Sequence, residues 1–223
     1  MPDVREWGLR EYGASLAEMR SLRAARRRGE IPDTLLLVEH PPVVTIGVQG
    51  DDGGAAASGL PTFQVERGGH STYHGPGQLV GYPIVDLTPR GRDVRRFVHE
   101  VEELVGRALA DFGVRAERVS GRRGVWVDGG ARKIASVGIA VEEWVTFHGF
   151  ALNVSNDLTP FERFRPCGLD GQLMTSLARE LGKPVSVSDV IPGVRHAWAD
   201  LFGAADRESP ALRRELVAPP NLS

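Results

Sequence analysis

Gly124-Val125-Trp126-Val127, then Asp128-Gly129-Gly130, then Ala131-Arg132-Lys133-Ile134-Ala135-Ser136-Val137-Gly138-Ile139-Ala140-Val141 follow one another without a break. Two apolar runs joined by an Asp-Gly-Gly element read as a β-hairpin turned on its glycines. The next run, Trp144 to Val154, is a further strand. In the long arm, period 2 puts Lys133, Ala135 and Val137 on one face, and Ile134, Ser136 and Gly138 on the other. Small residues on both faces leave room for something else to pack. Lys133 has two readings, an exposed strand lysine or a desolvated amine that acts as a base or as the partner of a thiolate.

Outward from the hairpin, helices and strands alternate irregularly. Thr34 to Glu39 is an apolar run stopped by Pro41-Pro42, hence a buried strand, and Val43 to Gly47 is a second. Phe63 to Glu66 is a short strand, and Leu79 to Leu87 another, broken in its middle by Gly81 and Pro83. Ser15 to Arg28 reads as a surface helix. Asp93 to Phe112 carries one apolar stripe, with Asp93 as its N-cap and Gly113 as its stop. Ser188 to Phe202 is a last helix capped by Ser188. Gly50 to Gly59 is a mobile loop. The expected fold is α+β, a mixed and largely antiparallel sheet flanked by helices. One domain spans 1–203, with a flexible tail over 204–223.

The chain has 223 residues, 41% hydrophobic and 25% charged, enough for a core without disulfides or metals. A net charge of −2 excludes a broadly basic nucleic-acid binder. No apolar run reaches the ~18 residues of a membrane span, and the opening residues lead one to expect no secretory signal. A single cysteine, Cys167, excludes a disulfide framework, and the cytosol is the expected compartment. Lys133 and Lys183 are the only lysines in a chain that otherwise uses arginine. A lysine in such a chain either survives by chance or is wanted for an amine that can lose its proton, which arginine cannot do.

Two further places concentrate chemistry. Arg67-Gly68-Gly69-His70-Ser71-Thr72-Tyr73-His74-Gly75-Pro76-Gly77-Gln78 holds four glycines, two histidines and a proline between two strands. Such a loop brings backbone N–H groups close to a ligand oxygen, or else is a structural turn. His70 and His74 have the spacing of metal ligands on a helix, but the glycines and Pro76 exclude a helix and no Glu follows His70. Hydrogen bonding within the loop is preferred, and no metal is expected. Cys167 sits between Pro166 and Gly168, with Arg163 and Arg165 nearby. The sharp loop and the positive potential favour a thiolate, against the bland alternative of a buried, inert thiol.

Five stretches follow in order: Thr34 to Pro42 (TLLLVEHPP), Arg67 to Pro83 (RGGHSTYHGPGQLVGYP), Lys133 to Gly138 (KIASVG), His148 to Val154 (HGFALNV) and Pro166 to Leu169 (PCGL). Together they resemble the octanoyltransferase family of lipoate biosynthesis. The resemblance implies a fold shared with the biotin and lipoate protein ligases. It implies movement of an octanoyl or lipoyl group from acyl carrier protein to a lysine. The acceptors would be lipoyl domains of 2-oxoacid dehydrogenases and the glycine cleavage H protein. No cofactor, nucleic acid or membrane is implied, and the chain would act as a monomer. Cys167 would be the acyl acceptor, with Lys133 as its partner. Arg67 to His74, Ser136, Val137, Gly138, Gly149, Phe150 and Ala151 would line the pocket. At Gly47-Val48-Gln49-Gly50 a Gly-Arg pair is expected and not found. Two other readings stand beside this one, an ATP-dependent lipoate or biotin ligase and a non-catalytic binding module for acyl groups or carrier protein. The donor would be drawn by Arg23 and Arg26 to Arg28, or by Arg90 to Arg96.

Overall fold

The fold is described from a computed structural model, over residues 2–51, 58–163 and 173–203. The strand β2 (Thr34–Glu39) lies one place in from a sheet edge, and its alternate side chains are buried on both faces. Leu35 and Leu37 enter one core, Leu36 and Val38 the other. A run without polar alternation must be covered on both sides, and the chain supplies both covers.

Around β2 lies a seven-stranded sheet in the order β1-β2-β6-β10-β9-β8-β7. Its other members are β1 (Asp3–Leu9), β6 (Gln78–Ile84), β7 (Glu117–Val119), β8 (Arg122–Val127), β9 (Arg132–Glu142) and β10 (Val145–Asn153). Among the described residues of this sheet only the β1–β2 pair is parallel. A smaller sheet, β4-β3-β5, joins β3 (Val43–Ile46), β4 (Thr62–Gln64) and β5 (Ser71–His74), with β3–β4 parallel. The mixed, largely antiparallel arrangement is as the sequence predicts.

The helix α2 (Val94–Ala110) packs with α5 (Val187–Phe202) over one face of the large sheet. Asp93 caps α2 by accepting the Arg96 N–H at 2.9 Å. Phe97, Val101, Leu104, Val105 and Leu109 form its buried stripe. Each such side chain contributes about 1.5–3 kcal/mol on burial. The other face is covered by α1 (Tyr12–Arg27) through Tyr12, Leu16 and Met19. Two short helices, α3 (Thr159–Arg163) and α4 (Leu177–Leu181), lie between β10 and α5 along the chain.

Three local expectations change. The cap of α5 is Ser186, not Ser188; Ser186 and Asp189 bond reciprocally in a capping box. The strand β6 is unbroken. Pro83 lies opposite Leu35, and its carbonyl accepts the Thr146 hydroxyl at 2.7 Å on the β10 side. There Thr146 replaces the ladder, receiving the Val85 N–H on its side chain and donating its own N–H to Val85. The missing proline donor therefore falls where no strand asks for it. Third, β9 bulges. Val125 pairs with Ala135 but Trp126 pairs with Lys133, so Ile134 is unpartnered. One inserted residue reverses the facing of all that precedes it. Lys133 thus turns to the side of Ser136 and Gly138, not that of Val137.

The expected loop at 50–59 falls largely outside the described residues, and the tail at 204–223 does so wholly. Among the described residues no helix is long and apolar enough to cross a membrane.

Candidate active site

The bulge delivers Lys133 to a cavity of about 320 Å³, at the small end of ligand pockets. Its walls come from the 67–70 segment, β5, β6, β9, β10 and α1. Arg67, Gly68, Gly69, His70, Thr72, His74, Lys133, Ser136, Val137, Gly138, Gly149, Phe150 and Ala151 all line it, as expected. Ser71 and Tyr73 do not. Within β5 alternate residues diverge: Ser71 donates to Asp51 at 2.8 Å, and Tyr73 packs edge-on against Phe161. Tyr12, Gln49, Tyr82, Arg122, Arg123 and His148 also line the cavity without having been expected there. Gln49 stands in the stretch where a Gly-Arg pair was expected.

The 67–70 segment is held on both sides. Val48 and Gln49 donate their N–H groups to the Arg67 and Gly69 carbonyls, and Gly68 donates to Ile139 of β9 at 3.0 Å. Arg67 is buried and donates to the Thr45 carbonyl at 2.7 Å. His70 Nδ1 and Thr72 Oγ1 are buried without a described partner, which a polar ligand group in the cavity would satisfy.

Close strand approach shapes the opposite wall. A Cβ on Gly149 would stand 2.0 Å from the Gly81 oxygen and 2.6 Å from Pro83 Cδ. His148, just before it, takes φ +55, a conformation few non-glycine residues adopt. We expect Gly149→Ala to cost about 2 kcal/mol, because backbone cannot step aside as a side chain can. Gly13→Ala, where the Cβ would meet Phe63 at an ordinary 3.5 Å, serves as the control. Urea midpoints measure both; an unshifted midpoint in Gly149→Ala would contradict the packing described.

Lys133 is 4% exposed. Its ammonium stands 5.8 Å over the Trp126 ring, within cation–π range. Gly124 takes φ +106, and a Cβ there would stand 2.7 Å from Lys133 Cε, so the side chain fills this space. The Lys133 carbonyl accepts the Thr175 N–H at 2.9 Å, and Met174 bridges Lys133 in parallel. Asn153 donates to the Thr175 carbonyl at 3.0 Å, and Gln78 donates to Asn153 Oδ1 at 2.9 Å. A buried polar chain therefore holds residues 174–175 against Lys133. Phe161 and Met174 share one apolar cluster with Tyr73. Cys167 itself, with Arg165, lies outside the described residues, as does the side chain of Arg163.

Three buried histidines cluster at the cavity, His74 and His148 in its wall and His40 behind them. His40 Nδ1 donates to the Arg10 carbonyl at 2.7 Å, so its Nε2 accepts from Tyr82 at 2.8 Å. His74 Nδ1 donates to Gln78 Oε1 at 2.8 Å. His148 Nε2 donates to Glu66 at 3.2 Å. Burial pushes His40 and His148 down to about 4 and His74 to about 3, with Arg67 adding to the last two. All three are neutral near pH 7. Burial raises the Tyr12 and Tyr82 hydroxyls, which stay protonated. Among the described residues no group of three or more His, Cys, Asp or Glu is placed to hold a metal ion.

The profile of the lipoyl protein ligase A/B catalytic domain matches residues 11–199. A protein of Geobacter metallireducens named octanoyltransferase is 49% identical over 97% of this chain and 99% of its own. Another so named, from Acidothermus cellulolyticus, is 48% identical over 83% of this chain and 85% of its own. Among solved structures, a lipoate-protein ligase A bound with ATP superposes with a TM-score of 0.69 at 16% identity, covering 93% of this chain and 87% of its own. A biotin protein ligase from Aquifex aeolicus in complex with biotin and ATP gives 0.54 at 12% identity, covering 89% and 69%. At those identities the likeness speaks for the fold alone, and the fold is the one expected.

Proposed function

We propose that this chain, which belongs to the lipoyl protein ligase A/B catalytic domain family, transfers an octanoyl group from acyl carrier protein to a lysine of a lipoyl domain through Cys167. The acceptors are the lipoyl domains of 2-oxoacid dehydrogenases and the H protein of glycine cleavage. The observation that carries this reading is a buried amine on the wall of a small cavity. The carbonyl of that same residue accepts the N–H of Thr175, which stands eight residues along the sequence from the chain's single cysteine.

In the first half, the Cys167 thiolate attacks the donor carbonyl. A C–S bond forms, the carrier's C–S bond breaks, and the carrier sulfur leaves with a proton passed by Lys133. The exchange between two thioesters is nearly isoenergetic. In the second half, the acceptor amine attacks the acyl-enzyme. A C–N bond forms, the Cys167 C–S bond breaks, and Lys133 takes the amine proton. An amide formed from a thioester is downhill, so ATP has no role. Backbone N–H groups near Gly69–His70 or at Cys167–Gly168 supply the donors that the developing oxyanion needs. Val80, Val137 and Ala151 give the C8 chain an apolar wall. About six methylenes at ~0.8 kcal/mol each contribute roughly 5 kcal/mol, enough to select chain length.

Intact-mass spectrometry tests the covalent route. Incubation with octanoyl-carrier protein is expected to add one octanoyl group to the wild type, located on Cys167 by peptide mapping and discharged by a lipoyl domain. Cys167→Ser is expected to show neither adduct nor transfer. Undiminished transfer by Cys167→Ser, or transfer that begins only with ATP and Mg²⁺, overturns the reading. The second outcome belongs to an adenylating ligase.

A further inference from the structure

The arginines that seemed suited to an acidic partner are mostly neutralised once the chain is folded. Arg23 pairs with Glu142 at 3.3 Å, Arg26 with Asp33 at 2.7 Å and Arg28 with Glu30 at 2.6 Å. Arg90 and Arg96 both pair with Glu100, at 3.1 and 2.9 Å. A guanidinium already bonded to a carboxylate offers a partner little.

Arg95, from the Arg90 to Arg96 stretch, has no ion pair among the described residues and stands in a second concentration of cations. A groove between the first turns of α2 and the β7–β8 turn carries Arg95, His99, Arg118, Arg122 and Arg123 on its walls. None of its four arginines has an ion pair within 4.0 Å among the described residues. The one acid in the groove, Glu102, is buried and accepts the Gly124 N–H at 3.0 Å. The floor is apolar, formed by Val98, Val119 and Ile139, and Val94 at its edge is 38% exposed. The groove runs into the catalytic cavity: Gly121, Arg122, Arg123 and Val137 line both.

We propose that this groove is the docking surface for the acidic carrier protein, which lays its thioester arm along the apolar floor into the cavity. This deepens the proposed function and rests on its donor being a carrier protein. Two features select the donor as occupant. Unpaired positive charge at the rim complements an acidic protein and steers its approach. The apolar floor continues into the cavity where the acyl carbon must arrive. An acceptor presenting one lysine needs no such track.

The test compares donors. Arg95 and Arg118 lie in the groove but not in the catalytic cavity. The double variant Arg95→Glu/Arg118→Glu is expected to raise KM for octanoyl-carrier protein at least tenfold. Its KM for neutral octanoyl-pantetheine is expected to stay within twofold. The salt dependence of kcat/KM with the carrier should flatten. Arg95→Gln/Arg118→Gln, which removes the charges without reversing them, should show a smaller shift in the same direction. An unchanged KM for the carrier overturns the proposal. So does an equal loss with both donors, or a loss confined to the step from pre-acylated enzyme to acceptor. The third outcome would assign the groove to the acceptor. Carrier affinity measured by fluorescence anisotropy on Cys167→Ser keeps this test separate from the covalent route. A groove that binds carrier in a charge-dependent way stands even if Cys167 is never acylated.

Discussion

Lys133→Arg is expected to slow octanoyl transfer by about three orders of magnitude, although charge is conserved. General acid–base catalysis contributes roughly 10²–10⁴ to a rate. In the proposed mechanism the group at this position must give a proton to the leaving sulfur and accept one from the acceptor amine. A guanidinium holds its proton throughout the accessible pH range. Geometry adds to this. Lys133 is 4% exposed and lies close against the backbone of Gly124. A broader planar head must crowd Trp126 or reach into the cavity where the acyl group belongs. Lys133→Met, of similar volume and without an amine, separates the two causes. If proton transfer is the cause, both variants lose rate alike in single-turnover acylation and in transfer from pre-acylated enzyme. Thermal unfolding of the Met variant should then stay close to wild type. A Lys133→Arg enzyme within threefold of the wild-type rate would leave Lys133 an electrostatic neighbour only.

Much of this was legible because local chemistry and global packing agree. The run Thr34–Glu39 is apolar at every face-determining position and is a strand over those same residues. Asp93 is a cap in sequence and in structure. What escaped was written in long-range contacts. The strand β5 lies within a stretch rich in Gly, His and Ser, which reads as loop; its four residues are buried only because β3 pairs with them. The edge strand β1 alternates charges and carries little apolar signal. The turn at Glu143-Trp144 has φ of +50° and +66° without a glycine to announce it. The facing of Lys133 depended on a bulge, and nothing in Lys133-Ile134-Ala135 distinguishes a bulged from a regular strand. His148 and Tyr82 reach the cavity from β10 and β6, and Tyr12 from α1, so only tertiary packing unites them. His148 does stand at the head of the quoted His148-Gly149-Phe150-Ala151 stretch, which is the one signal that would have included it.

Acidification is expected to unfold the protein well above the pH at which surface carboxylates titrate. His40, His74 and His148 are held neutral by burial, with folded values of about 4, 3 and 4 against an unfolded value near 6.5. A folded value below the unfolded one means that the unfolded chain takes up protons first as pH falls. The contribution to stability is therefore complete above pH 6.5. It is lost as pH falls from there toward 4, and toward 3 for His74. At pH 5 each histidine has given up on the order of 2 kcal/mol, so the three together forfeit about 6 kcal/mol. A domain of this kind has only about 5–15 kcal/mol in total. Glu102, raised by burial, works in the opposite direction, as one carboxyl against three imidazoles. Around the cluster, Arg67 opposes protonation of His74 and His148, while Glu66 favours it at His148 alone. Urea unfolding at pH 7.5, 6.0 and 5.0 should show the stability falling by several kcal/mol across the series. His148→Gln, which keeps a donor toward Glu66, should remove about a third of the slope. Stability that stays within about 1 kcal/mol between pH 7.5 and 5.0 would mean that these imidazoles reach water in the native protein, and the neutral, single-tautomer cluster at the cavity would have to be abandoned.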